Sequence, residues 1–312
     1  RHLAWPPLFF RQIRAIKEKA MRHTLLILLA ASLLTGCRQQ RDNRFLTTLQ
    51  KAEHNIENVG NSSKSGTSDS NAPTTVAAGK GYELPADING QILLKRIGYT
   101  VSYNPQTKEP NWVAWYLSAD RLQGDANRSG VEFQEDEEVP EPRSTTWDYY
   151  RSHYDRGHQC PAGDNKWSQE SMNQSFLVTN ICPQNPKLNK YEWNRLESQC
   201  REWAKEYGGV YVACGPIFSA NSKKTIGQNK VKVPTAFFKV ILCMTGKPKA
   251  IGFIYQNTGD KQDFRQCVRS VDEIEQITGY DFFKSLDDKV EKRVEAETNI
   301  DDWPQERLKG NR

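Results

Sequence analysis

Tyr154-Asp155-Arg156-Gly157-His158-Gln159-Cys160-Pro161, then Asn180-Ile181-Cys182-Pro183-Gln184-Asn185-Pro186-Lys187-Leu188-Asn189, then Glu192-Trp193-Asn194-Arg195-Leu196-Glu197, are the informative segments of this 312-residue chain. Together they offer a base, cationic groups and oxygen ligands for a hard ion. His158 can take a proton near neutral pH. Arg156 presents a fork of donors suited to phosphate oxygens. Asn189 offers a neutral carbonyl oxygen to a magnesium ion that keeps most of its waters. Phosphodiester hydrolysis needs these parts: a deprotonated water, neutralisation of charge on phosphate, and stabilisation of the departing oxygen.

The third segment runs into the clearest helical pattern of the chain. Leu188, Trp193, Leu196, Cys200, Trp203 and Tyr207 recur at helical spacing, and Gly208-Gly209 ends the run. On that helix Asn189, Trp193, Leu196 and Cys200 share a face, so Asn189 is a polar residue heading an apolar stripe and needs a partner. Glu197 lies two turns on and well round the helix. Direct ligation of one ion by both residues is therefore disfavoured, whereas contact through an ion-bound water is feasible. Trp112, Trp115, Trp193 and Trp203 read as core rather than as base-stacking platforms. His153 reads as structural or surface, and Asp155 and Asn180 as residues that hold loops. Cys160 near His158 raises the reading of a thiol nucleophile, but an exported chain with paired cysteines favours a disulfide there.

At these residues the chain resembles the DNA/RNA non-specific endonuclease family. The hallmark Asp-Arg-Gly-His stands at Asp155 to His158 without departure. Asn180 lies in an N-x-x-P-Q segment, Asn189 follows nine residues later, and Glu197 eight beyond that. The resemblance spans roughly residues 93–283 and implies the ββα-metal site, a hairpin carrying the histidine packed on a helix carrying the asparagine. It implies His158 as general base and Asn189 as the direct protein ligand of magnesium, with manganese or another divalent ion as a substitute. Glu197 would act through metal-bound water, and Arg156 would support phosphate or the fold of the site. A second family arginine follows a strand similar to Asn111-Trp112-Val113-Ala114-Trp115; Arg128 is the best match and Arg121 the fallback. The implied substrates are DNA and RNA, contacted through their backbone, which gives weak sequence preference and 5′-phosphate ends. Two rival readings are a non-catalytic nucleic-acid-binding lipoprotein, which would need neither His158 nor Asn189, and a metal phosphoesterase for small nucleotides.

Outward from this centre, residues 1–20 precede Met21 and read as an upstream artefact. Residues 21–36 pair a basic start with an apolar run from Leu25 to Leu34, too short for a spanning helix. Leu34-Thr35-Gly36-Cys37 matches the lipoprotein box, so Cys37 is the expected lipidation site of an exported, membrane-anchored protein on the periplasmic or cell-surface side. Residues 37–80 are rich in Asn, Ser, Thr, Gln and Lys without apolar periodicity, a flexible tether. The domain is expected over 81–312.

Without residues 1–36 the chain carries 37 basic and 37 acidic side chains, so its bulk charge says nothing about nucleic acid and any phosphate-binding field must be local. Seven lysines and no acid lie between residues 217 and 250, and an acidic run spans Glu132 to Glu141. Beyond Cys37 six cysteines remain (160, 182, 200, 214, 243, 267), for which three disulfides are expected: Cys160–Cys182, Cys200–Cys214 and Cys243–Cys267. No C-x-x-C or H-x-H spacing occurs, which argues against zinc.

Strands are expected at Tyr99–Tyr103 and Trp112–Leu117 as a hairpin, and at Gly209–Cys214, Ala236–Met244 and Ala250–Tyr255. Helices are expected at Ser168–Gln174, Leu188–Tyr207 and Val271–Thr278. The fold class that follows is α+β, with a mixed, largely antiparallel sheet.

Overall fold

A computed structural model describes residues 81–305; the expectations for residues 1–80, Cys37 among them, lie outside the described residues. The backbone of the fold is a seven-stranded sheet, ordered β1 (Ile92–Lys95), β2 (Thr100–Asn104), β3 (Glu109–Ser118), β6 (Gly209–Ile217), β9 (Ala236–Cys243), β10 (Lys249–Gln256) and β11 (Val268–Arg269); β7 (Thr225–Ile226) and β8 (Val231–Lys232) pair separately. Every neighbouring pair in it is antiparallel. The expected hairpin is present as β2 and β3. The strands read as almost unbroken apolar runs because both faces of the sheet are covered.

Alternation of side chains sorts the core into two layers. Val113, Trp115, Val210, Val212, Cys214, Phe237, Ile241, Ile251 and Phe253 face one side, where Leu196, Cys200 and Trp203 of helix α3 (Asn194–Tyr207) cover them. Trp112, Ala114, Tyr211, Ala213, Phe238, Val240, Leu242 and Ala250 face the other side, against α4 (Val271–Thr278) and α5 (Asp288–Glu295). All four tryptophans expected in the core are at most 2 % exposed.

Local signals set the helix ends. Ser168 caps α1 (Gln169–Gln174) by accepting from the Ser171 amide. Ser270 and Glu273 form a capping box at the start of α4, and Gly208 and Gly279 end their helices with φ of 78° and 73°. Helix α5 is not among the expected helices; its apolar face rests on Val290 and Val294 alone, one turn apart in an otherwise charged stretch.

The expected disulfides are absent: all six cysteines among the described residues are free and buried. Strand register explains two of the three. Cys182 pairs with Gly157, three residues before Cys160, an offset of roughly 10 Å along the strand. Cys243 pairs with Lys249, whereas Cys267 adjoins Val268, which pairs with Phe253. Four residues along β10 are about 13 Å, and a disulfide needs Cα atoms within about 7 Å. Cys200 and Cys214 share one core, but the Cys214 thiol donates to the Gln159 carbonyl at 3.2 Å.

The acidic run is not wholly a solvated face. Asp136 is buried, held by Arg96 at 2.6 Å and by the Thr179 hydroxyl at 2.5 Å, and so ties the start of the sheet to the segment before β5 (Ile181–Gln184).

Candidate active site

Beside the main sheet, β4 (Asp155–His158) and β5 form their own antiparallel ladder, pairing Asp155 with Gln184, Arg156 with Pro183, Gly157 with Cys182 and His158 with Ile181. The link between them is a long connection containing α1 rather than a tight turn. Gly157 has a steric cause. A Cβ there would lie 2.3 Å from Gln184 Oε1 and 2.5 Å from Gln184 Cβ, in a fully buried position.

His158 is half-buried, its ring 5.3 Å from that of Phe133 and edge-on to Phe176 at 4.8 Å. Burial, helped by the Arg128 charge, lowers its pKa to about 3, so the ring is neutral at physiological pH. Its Nε2 is buried and has no hydrogen-bond partner. Two residues further on, Asn180 clamps the chain: its Oδ1 accepts from the Cys160 amide at 2.9 Å, and its Nδ2 donates to the carbonyls of Cys160 (2.9 Å) and Ser175 (2.8 Å). Asn180 is fully buried.

The helix that follows β5 is not regular. Asn185 caps a short α2 (Pro186–Leu188), Asn189–Trp193 is a π-helical turn, and α3 continues from Asn194. In an unbroken α-helix eight residues turn through roughly 800°, leaving Glu197 about 80° from Asn189. A π-turn absorbs one extra residue, which cuts that offset to about 20°. The expectation that Glu197 lies well round the helix is therefore corrected: both residues line one cleft, two turns apart.

Asn189 donates Nδ2–H to Asp155 Oδ2 at 2.9 Å. A carboxylate only accepts, so this bond fixes the amide with its nitrogen toward Asp155 and leaves Oδ1 for another partner. Asp155 is thus more than a loop residue, since it orients the asparagine. Glu197 is raised to about 7 by burial, against the opposing pull of Lys239, Arg201 and Arg128.

The cleft has a volume of about 910 Å³ and gathers Arg128, Arg156, Lys166, Lys190 and Arg201 around His158. Arg128 lies over the Phe176 ring at 5.5 Å and Arg156 over Phe133 at 5.0 Å, which holds both exposed guanidiniums at the rim. The fallback Arg121 is spent on the Gly98 carbonyl at 2.8 Å and does not line the cleft. None of the seven lysines of 217–250 lines it either, and Lys239 is buried between Trp115 and Trp193. The local positive field comes from other residues. Arg201 was missed: it stands one helical turn after Glu197, fixed by Asp164 at 3.0 Å, which also accepts from Trp115 Nε1 at 3.1 Å. Its spacing from Glu197 was the available signal. His153 sits on an exposed turn with φ of 66°, away from this chemistry.

A two-strand ladder presenting a histidine beside a helix presenting an asparagine oxygen, flanked by a large antiparallel sheet, defines a ββα-metal fold. The chain matches the DNA/RNA non-specific endonuclease family over residues 78–289, and it belongs to that family. It is 38 % identical to mitochondrial nuclease EXOG of Danio rerio, across 60 % of this chain and 60 % of that protein. It is 41 % identical to mitochondrial endonuclease G of Bos taurus, across 48 % of this chain and 54 % of that one. The chain thus spans little more than half the length of these curated relatives. In three dimensions it is similar to a chain of the EndoG/EndoGI complex, a structure concerned with EndoG inhibition. The TM-score is 0.61 at 29 % identity, covering 69 % of this chain and 96 % of that chain.

Proposed function

We propose that this protein is a magnesium-dependent endonuclease that hydrolyses DNA and RNA with little sequence preference, His158 serving as general base and Asn189 as metal ligand. The observation that carries this reading is one cleft lined by both His158 and Asn189, with the Asn189 Oδ1 set free by Asp155. The donor set fits the ion: a neutral amide oxygen and a nearby carboxylate suit a hard cation that keeps most of its waters. Asn189 would hold it directly and Glu197 through its hydration shell, with manganese or another divalent ion as a substitute. Such an ion supplies Lewis acidity that offsets charge on the phosphate and the departing 3′ oxygen.

The protein's own groups do the rest. His158, whose ring is neutral at physiological pH, accepts a proton from the water that attacks phosphorus in line. Arg128, Arg156 and Arg201 donate to phosphate oxygens, as forked guanidiniums do best. Contacts of this kind read backbone rather than base edges, which supports weak sequence preference.

Plasmid and RNA cleavage with and without EDTA tests the reading. His158→Ala should fold, still bind DNA and lose at least about a hundredfold in rate. Asn189→Ala should recover part of its activity with added magnesium, which His158→Ala should not. Wild-type cleavage by His158→Ala would overturn the mechanism.

The proposal extends to placement, on the strength of the Leu34 to Cys37 box after its apolar run. Residues 21–36 would be a cleaved signal, Cys37 would carry lipid, and residues 37–80 would tether the domain of 81–312 to a membrane on the periplasmic or cell-surface side. Detergent partitioning of wild type against Cys37→Ser decides this; equal recovery in the aqueous phase would exclude the anchor.

A further inference from the structure

We infer that Asp272, Glu275 and Glu295 form a second divalent-cation site, for a hard ion of calcium's size, on the face of the sheet opposite the cleft. One carboxylate oxygen from each lies within 4.8 Å of the other two. That spacing fits a shared ion, because two oxygens across a calcium at 2.3–2.6 Å stand at most about 5 Å apart. Asp272 and Glu275 are three residues apart on α4 and therefore share a face. Glu295 comes from the last turn of α5, which packs beside α4 over the sheet.

The independent sign of a ligand is Glu295 itself. It is 6 % exposed, and its Oε1 has no hydrogen-bond partner. An unpartnered buried carboxylate is costly unless a cation or a proton answers it. No protein cation does so: among the described ion pairs none involves these three residues. Further acids, Asp281 and Glu291, add to the negative potential at Glu295. Glu275 is positioned for the task, since its Oε1 accepts from the Phe282 amide at 2.7 Å. Asp272 and Glu275 are half-exposed, so the site opens to solvent on one side and the ion would complete its shell with water. A bound cation would pin α5 to α4.

Thermal unfolding of the full chain, stripped with EDTA and titrated with calcium chloride, tests the site. Wild type should gain about 5 °C or more in Tm, saturably, at a hundredfold excess over Kd. Asn189→Ala, which disables the cleft, should keep that gain and bind one calcium by calorimetry. Glu295→Gln and Asp272→Asn should lose it while remaining folded. No gain in wild type at about 10 mM calcium, or a gain kept by Glu295→Gln and lost by Asn189→Ala, would overturn the inference. The second outcome would place the ion in the cleft instead and leave the nuclease reading intact.

Discussion

Asn180→Ala separates a residue that shapes the site from one that binds the ion. Asn180 is fully buried and makes three hydrogen bonds to main chain, accepting from the Cys160 amide and donating to the carbonyls of Cys160 and Ser175. Alanine removes all three. At roughly 1–1.5 kcal/mol for each net bond the loss is about 3–4.5 kcal/mol, a large fraction of a typical domain's stability. Aspartate is a sharper probe. It keeps the acceptor for the Cys160 amide but sets a carboxylate oxygen against two carbonyls, so at neutral pH it should be at least as unstable as alanine. Acid should partly rescue it, because a protonated carboxyl regains one donor. Urea unfolding of both variants across pH gives these values. Since Cys160 is two residues past His158, surviving enzyme should lose kcat more than it gains KM. A loss for Asn180→Ala below about 1 kcal/mol, or activity restored by raising magnesium, would refute this account and make Asn180 a ligand.

Glu109 is fully buried, and neither carboxylate oxygen has a partner. Burial raises its pKa well above the ordinary range. Its proton therefore favours the folded state fully below about pH 4.5, and that advantage fades as pH rises. Wild type should fall behind Glu109→Gln by up to about 1.4 kcal/mol per pH unit above that point; a pH-independent difference in chemical denaturation would sink the idea. Gly157→Ala should cost about 1–3 kcal/mol, the range for overpacking, because the buried Gln184 side chain has to move. Its kcat should also fall through displacement of His158, and denaturation together with steady-state cleavage at wild-type levels would contradict the steric reading.

The large sheet was legible because its central strands are buried on both faces and read as long apolar runs, and α4 because Gly279 marks its end. The candidate site was legible for a different reason: His158, Asn189 and Glu197 keep a spacing set by one strand and one helix. What escaped lacked a mark in composition. The π-turn at Asn189–Trp193 is a shift of backbone register that leaves side-chain types unchanged, so regular helical geometry put Glu197 on the wrong bearing. The short helix α5 offers only Val290 and Val294 as an apolar face, too few residues to stand out in a charged stretch. Cysteine parity counts thiols without measuring distance, and strand register then kept Cys160 from Cys182 and Cys243 from Cys267. Lys239 looked like part of a phosphate-binding lobe, yet alternation along β9 turns it inward.

The same period of two accounts for the order of the four residues at β4. Arg156 and His158 point to one face of the strand, and both meet Phe133 at the cleft rim. Asp155 and Gly157 point to the other, where Asp155 reaches Asn189 and the missing side chain of Gly157 makes room for Gln184. One face therefore carries the base and a phosphate-binding cation, while the other carries the link to the helix that would hold the ion. A slip of one residue in the β4–β5 ladder would exchange the two sets. The histidine would then face Gln184, where no Cβ fits, and the aspartate would leave Asn189 unoriented. The pairing of Gly157 with Cys182 is thus a condition for the chemistry, and the buried clamp of Asn180 just beyond β4 holds that register in place.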